Sequence, residues 1–182
     1  MKTKHLLLIL SATLAAAFIG CKSVDTPKGT SAGYSSFRLY RELPSNSAHF
    51  ANKDDQAHAV IQKEIVSSLK QGGLKETGDD AELIVAYLVL IQDNAASTAI
   101  DNYYVNSGSE ILSYAHEQVA VKGNYSRDFK AGTLIIDVID AKERKLIYRN
   151  YASKQIAEEL EGAAREARIK SVVDEAIAAF LE

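Results

Sequence analysis

The chain has 182 residues, of which 47% are hydrophobic and 25% charged, with a formal net charge of −3 at pH 7. This length is typical of one domain that is large enough to bury a core. The mildly acidic charge excludes the strongly basic surface that nucleic-acid binding requires, and the single cysteine excludes a disulfide within the chain.

Residues 1–20 have the pattern of a secretory signal peptide. Lys2 and Lys4 form a basic start, and the stretch 6–18 follows without a charged residue. This run is shorter than a comfortable membrane-spanning helix and matches the apolar part of a signal peptide. We therefore expect residues 1–20 to direct export and to take no part in the fold.

The end of this run, Phe18-Ile19-Gly20-Cys21, resembles a bacterial lipobox. In proteins with this motif the cysteine thiol takes a diacylglycerol, the peptide is cut before the cysteine, and the new amine receives an acyl chain such as palmitate. The alternatives are a plain signal peptide that is cleaved elsewhere or an uncleaved anchor. We predict lipidation of Cys21, which would make it the first residue of the mature protein.

Residues 21–33 are predicted to be a lipidated, flexible tether, because 22–33 is rich in Ser, Thr, Gly and Lys without periodicity. Removal of 1–20, which contain two lysines and no acid, leaves 19 basic and 24 acidic residues and a formal charge of −5. The lipid is then the expected membrane contact. Lys22 stands where some bacteria use aspartate as an inner-membrane retention signal. The expected location is therefore the outer membrane of the cell envelope, facing the periplasm.

Residues 34–182 are predicted to form one domain, which begins with a strand, a helix and a second strand. The stretch 34–41 alternates apolar and polar residues, as in a half-buried strand. From Asp54 the apolar residues recur at helical spacing until Gly72-Gly73, which indicates an amphipathic helix. The continuous apolar run 83–91 is typical of a central strand that is buried on both faces.

The second half is predicted to contain a long loop, three strands and a final helix. Residues 95–113 are mostly small and polar, as in a long loop or irregular hairpin. The stretch 115–125 alternates like a half-exposed strand, and 132–153 has the pattern of a hairpin that turns at 140–144. An apolar stripe at spacings of three and four over 169–181 predicts the C-terminal helix.

These elements predict an α+β fold: a mixed, mainly antiparallel sheet of about five strands with two amphipathic helices packed on one face. The strands 83–91 and 134–139 are apolar on both faces. The second face therefore also needs a cover, which 95–113, the lower part of the C-terminal helix or a partner could supply.

The string GTLIIDVIDAKERKLIYR at 132–149, followed by a polar stretch and an amphipathic helix, resembles the envelope lipoproteins catalogued as domain of unknown function 4136. The resemblance also includes 33–40, the helix that ends at Gly72-Gly73, and the apolar strand 83–91. The family commonly has Trp-Arg-Gly where this chain has Tyr148-Arg149-Asn150. The resemblance implies a lipid-anchored α+β envelope domain without an established activity, and it carries over no catalytic or binding residues.

No cofactor, metal site or catalytic site is predicted, and we expect that the protein is not an enzyme. The histidines lack the spacing of metal-ligand motifs. Ser109 follows Gly108 but lacks the second glycine of a nucleophile elbow, and Gly72-Gly73 closes a helix, whereas a phosphate-binding loop opens one. The four histidines are His5, His49, His58 and His116.

Asp137 and the tyrosines near the long loop are the weak candidates for a binding site. Asp137 lies between Ile135 and Ile139 on one face of an inner strand, where a carboxylate is costly unless it is paired. We favour an ion pair with Arg149 or Arg38 over a ligand site. Tyr103, Tyr104 and Tyr114 either form a rim for a partner or fold inward as cover for the sheet.

The leading prediction is a lipid-anchored envelope protein without catalytic activity, which presents its α+β domain for interaction or structural support. An envelope protein is the expected kind of partner. The alternative is a binding module that holds an apolar ligand or an envelope component between the sheet and 95–113.

Overall fold

The computed structural model describes residues 27–41, 55–90, 94–95, 104, 108–120, 128–129, 132–154 and 161–182. Within these residues the chain forms an α+β domain, as predicted. The elements in chain order are β1 (Ser36–Leu39), α1 (Asp55–Gln71), β2 (Lys75–Glu76), β3 (Leu83–Leu90), β4 (Asn94–Ala95), α2 (Glu110–Ala120), β5 (Asp128–Phe129), β6 (Thr133–Asp140), β7 (Lys145–Ser153) and α3 (Gly162–Leu181).

The central sheet has five strands in the order β2-β1-β3-β6-β7, while β4 and β5 pair separately. β1 is parallel to both β2 and β3, because α1 carries the chain back before it re-enters the sheet. β6 is antiparallel to β3 and β7. The predicted mixed sheet of five strands is confirmed. The longest pairings are antiparallel, but parallel pairing has a larger share than predicted.

α1 and α3 lie side by side on one face of the sheet and run in the same direction. Ser68 of α1 donates a hydrogen bond of 3.3 Å to Asp174 of α3, and Gly72 after α1 lies against Leu181 near the end of α3. Phe180 and Ile65 are fully buried in the cluster beneath the helices. These two helices are the two that the apolar stripes predicted on one face.

The other face of the sheet is covered by α2, and here the predicted strand at 115–125 is wrong for its described part. Leu112 and Ala115 point onto the sheet at helical spacing, and Ser109 begins the helix by accepting a hydrogen bond from the Leu112 amide (3.4 Å). Residues 121–125 lie outside the described residues. The described part of the chain therefore has three multi-turn helices, one more than predicted.

The predicted hairpin of β6 and β7 is confirmed, with a four-residue turn between them. Asp140 accepts a hydrogen bond from the Glu143 amide (2.7 Å) and another from the Tyr34 hydroxyl (2.8 Å). Burial and this bond to Asp140 raise the pKa of Tyr34 to about 12. Arg144 adopts a left-handed conformation with φ of 53°, which closes the turn.

Residues 27–31 belong to the folded domain, which therefore begins earlier than the predicted boundary at 34. The Arg149 amide donates to the Pro27 carbonyl (3.0 Å), and the Gly29 amide donates to the Ile147 carbonyl (2.8 Å). The Ser31 amide donates to the Phe180 carbonyl (2.6 Å). A Cβ at Gly29 would lie 2.6 Å from the Ile147 carbonyl oxygen, so glycine permits this close approach. This N-terminal segment covers part of the outer edge of β7.

Glu82→Gln should lower the stability of the domain at neutral pH and reduce its sensitivity to acid. Glu82 accepts hydrogen bonds from the Ser35 amide (2.6 Å) and hydroxyl (2.9 Å) and from the Ser36 amide (3.2 Å). These bonds, with the Ser35 amide first, lower the pKa of Glu82. Because the folded-state pKa lies below the unfolded value of about 4.3, the stabilisation is present above that pH and is lost as the pH falls through the folded pKa.

Thermal unfolding at neutral and acidic pH checks this expectation. The difference in Tm between the native chain and Glu82→Gln should shrink between about pH 7 and about pH 3. Glu175→Gln, on the exposed side of α3, is the matched control and should change Tm little at either pH. A difference for Glu82→Gln that is the same at both pH values would contradict the prediction.

Candidate functional site

Four polar or aromatic side chains form a buried cluster between the second face of the sheet and α2. Asp137 is 0% exposed, Arg149 and Tyr104 are each 2% exposed, and His116 is 4% exposed. Asp137 comes from β6, Arg149 from β7 and His116 from α2. We call this set the Arg149 cluster. The sequence indicates Asp137, Tyr103 and Tyr104 as candidate binding residues. Asp137 and Tyr104 both belong to this cluster.

Asp137 and Arg149 form a bidentate ion pair, so Asp137 is paired as the sequence predicted, and Arg149, of the two arginines considered, is its partner. The two residues are direct partners in the register of β6 and β7. The Arg149 Nε donates to Asp137 Oδ1 at 2.7 Å, and Nη2 donates to Oδ2 at 2.5 Å. Burial raises the pKa of the Asp137 carboxyl, and the guanidinium of Arg149 opposes that rise.

His116 and Tyr104 also contact the guanidinium of Arg149. His116 Nδ1 lies 3.4 Å from Arg149 Nη2. Since a guanidinium can only donate, Nδ1 is the acceptor in this contact. The Tyr104 ring stacks on the His116 ring with centroids 4.6 Å apart, and the Arg149 Cζ lies 5.5 Å from the Tyr104 centroid.

Through His116, this cluster connects α2 to β7 of the sheet. Each of its four side chains is at least 96% buried, so a substrate from solvent does not reach the carboxylate or the imidazole in this conformation. The ion pair is surrounded by apolar side chains such as Ile135, Ile139 and Leu112. The contact of His116 with Arg149 links α2 to this ion pair on the sheet.

The structure places the remaining sequence candidates as follows. The lipobox residues Phe18, Ile19 and Gly20, the lipidation site Cys21, and Tyr103 lie outside the described residues. His58 is buried, and its Nδ1 lies 3.1 Å from the Tyr87 hydroxyl. The same hydroxyl accepts a hydrogen bond from the Gln62 side-chain amide (2.9 Å). In the described ranges no group of three or more His, Cys, Asp and Glu side chains is arranged to hold a metal ion.

An open groove of about 630 Å³ lies between the first turns of α1 and α3. Its walls carry both signs of charge together with apolar side chains. The residues that line it include Gln56, Val60, Glu161, Arg165, Glu166 and Ile169. This mixed lining does not select one ligand chemistry.

None of the described helices is long and apolar enough to cross a membrane.

The sequence does not identify the role of His116, because the alternation at 115–125 predicts a strand. A strand would have placed it on the solvent side, opposite Ala115. The signal that identifies the helix was present: Ser109 and Glu110 are a typical helix start, and Leu112 and Ala115 are spaced for one helical face.

The fold and the closed cluster define an α+β domain with a five-stranded central sheet and a buried ion pair under α2. A family model described as Domain of unknown function (DUF4136) matches residues 24–180. The chain belongs to this family, which confirms the resemblance seen in the sequence. No curated protein was found to be similar in sequence.

Among the solved structures that resemble the chain are the following two. The crystal structure of a DUF4136 family protein from Bacteroides thetaiotaomicron is 11% identical, with a TM-score of 0.48, and the match covers 82% of this chain and 90% of that one. The PelC dodecamer from Paraburkholderia phytofirmans is 7% identical, with a TM-score of 0.44, and the match covers 88% of this chain and 92% of that one.

Proposed function

We propose that the protein is a lipid-anchored component of the bacterial cell envelope, held through Cys21, most simply at the periplasmic side of the outer membrane. Its α+β domain acts by interaction or structural support and performs no catalysis of its own. An envelope protein is the expected partner.

The observation that carries this proposal is the position of the N-terminal segment. Pro27 is already hydrogen bonded to the edge strand β7, and it follows Cys21 by six positions. The single cysteine of the chain thus stands directly before the folded domain, at the end of an apolar run with signal-peptide character. A lipid on Cys21 would hold this domain close to the bilayer.

The alternative of a ligand held against the second face of the sheet receives less support. Where the chain is described, the side chains of Tyr104, Leu112 and Ala115 pack in the same cluster as Leu88 and Ile135 of the sheet. They occupy the layer that an apolar ligand would need. The geometry therefore favours cover by the chain itself.

Cys21→Ser should move the protein from the detergent phase to the aqueous phase in Triton X-114 partitioning of expressing cells, because the serine hydroxyl cannot receive the thioether-linked diacylglycerol. Ser23→Ala, two positions further on, is the matched control and should stay in the detergent phase. Globomycin, which blocks the lipoprotein signal peptidase, should make the uncleaved precursor accumulate. Unchanged partitioning of Cys21→Ser together with normal processing under globomycin would refute the anchor.

A further inference from the structure

The N-terminal segment, residues 27–31, is held to the domain by hydrogen bonds. It pairs with β7 at the bridge between Lys28 and Tyr148, and it meets the last turn of α3 through the bond from Ser31 to Phe180. None of its residues is fully buried, and neither buried apolar cluster of the described residues includes one of them. A stretch held in this way leaves its site at low cost, because few apolar contacts are lost. β7 remains paired with β6 along its other edge.

The outer edge of β7 accepts an extended chain that has glycine at one position. A Cβ at Gly29 would lie 2.6 Å from the Ile147 carbonyl oxygen, so a residue with a side chain does not fit there without a shift of the backbone. One position earlier, the Lys28 amine donates to the Asn150 side-chain oxygen (3.2 Å). A second copy of the chain carries the same Lys-Gly pair. The edge therefore fits this segment and excludes strands that have a large residue opposite Ile147.

A short turn joins the N-terminal segment to β1. The Tyr34 amide donates to the Ser31 carbonyl (3.1 Å), and Ala32 and Gly33 at the tip of the turn are exposed. Gly33 has φ of 91°, and no atom within 4 Å restricts its place. When this turn opens, the segment can dock on another domain and keep each of its contacts. Exchange of an element between identical copies costs little for this reason, and short hinges favour it.

We propose that two copies of the chain exchange their N-terminal segments, so that residues 27–31 of each copy dock on the β7 edge of the other. The turn at 31–34 is the hinge of this exchange. The interaction surface is the outer edge of β7 together with the last turn of α3, and its partner is a second copy of this chain. The exchange does not depend on the lipid anchor, because every contact that supports it lies in residues 27–34 and in the elements that they touch.

Crosslinking between two differently tagged, full-length copies in the expressing cells tests the exchange. One copy carries Lys28→Cys and the other carries Asn150→Cys, two positions whose side chains meet in the docked state. Neither copy has both introduced thiols, so a short bis-maleimide joins positions 28 and 150 across two chains only after exchange. We expect a crosslinked heterodimer that contains both tags. A dimer that forms equally when either variant is expressed with the native chain would show a different contact between copies and would contradict the exchange.

A chain that carries both Lys28→Cys and Asn150→Cys decides the outcome if the mixed copies do not crosslink. With exchange, this double variant becomes a covalent dimer. A crosslink within one chain would show that the segment stays on its own domain. No reaction at all would show that the segment is not docked on β7. Either of these two results refutes the exchange.

Gly29→Val on the Lys28→Cys copy should abolish the heterodimer, because the new side chain meets the Ile147 carbonyl. Thr30→Val on the same copy is the matched control and should leave the heterodimer unchanged, since Thr30 is exposed. A heterodimer that survives Gly29→Val undiminished would show that the segment does not dock in this register, and the proposal would fail.

Discussion

Arg149→Met should lower the free energy of unfolding by about 3–5 kcal/mol at neutral pH. The substitution removes both hydrogen bonds to Asp137 and leaves a carboxylate that is 0% exposed without its counter-charge. A methionine fills most of the volume of the lost side chain, so a cavity contributes little. Urea unfolding, followed by circular dichroism, measures the effect.

The loss should depend on pH in a defined direction. In Arg149→Met nothing opposes the rise that burial causes in the pKa of Asp137. A carboxyl whose folded-state pKa is raised stabilises the fold below its unfolded pKa and loses that contribution as the pH rises through the folded value. The variant should therefore approach the native chain in stability at about pH 4 and differ most at about pH 7.

Arg41→Met is the matched control for this experiment. Arg41 pairs with Glu76 at 2.5 Å, but half of its side chain is exposed. An exposed pair of this kind contributes at most about 1 kcal/mol. If both arginine variants lower the free energy of unfolding by the same amount, the buried ion pair of Arg149 does not stabilise the fold more than an exposed pair does.

Leu112→Ala should lower the free energy of unfolding by about 2–5 kcal/mol. Leu112 is 0% exposed and joins α2 to the side chains on the second face of the sheet. Truncation leaves a cavity between two layers that are also held by the contact of His116 with Arg149. Urea unfolding monitored by circular dichroism measures this loss as well.

Tyr114→Ala, on the same helix, is the control because Tyr114 is 45% exposed. We expect it to change stability by no more than about 0.5 kcal/mol. If Leu112→Ala behaves like Tyr114→Ala, α2 is a loosely attached cover and not a layer of the folded domain.

The parts of the fold that the sequence predicted correctly are those in which one pattern dominates. β3 is buried on both faces over nearly its whole length, so its composition alone identified it. The cost of a buried charge predicted that Asp137 is paired with an arginine, and the register of β6 and β7 selects Arg149 over Arg38. Gly73, with φ of 92°, ends α1 where the glycine pair indicated.

The parts that could not be predicted depend on contacts between distant stretches. α2 is short, and its apolar positions Ala115 and Val119 fit a period of two as well as a period of four, so the pattern alone did not decide. His116 gains its role only because α2 lies over Arg149. The docking of Pro27 onto β7 leaves no local signal, since a short polar segment looks the same whether it is bound or free.

The docked N-terminal segment also has a consequence for the order of folding. Lys28 is bonded to Asn150, 122 positions later in the chain, and Ser31 is bonded to Phe180. During synthesis from the N-terminus, residues 28–31 have no binding surface until β7 and α3 have been made. Closure of such a long loop is entropically costly and slow. The N-terminal segment therefore docks late, after both β7 and α3 have formed.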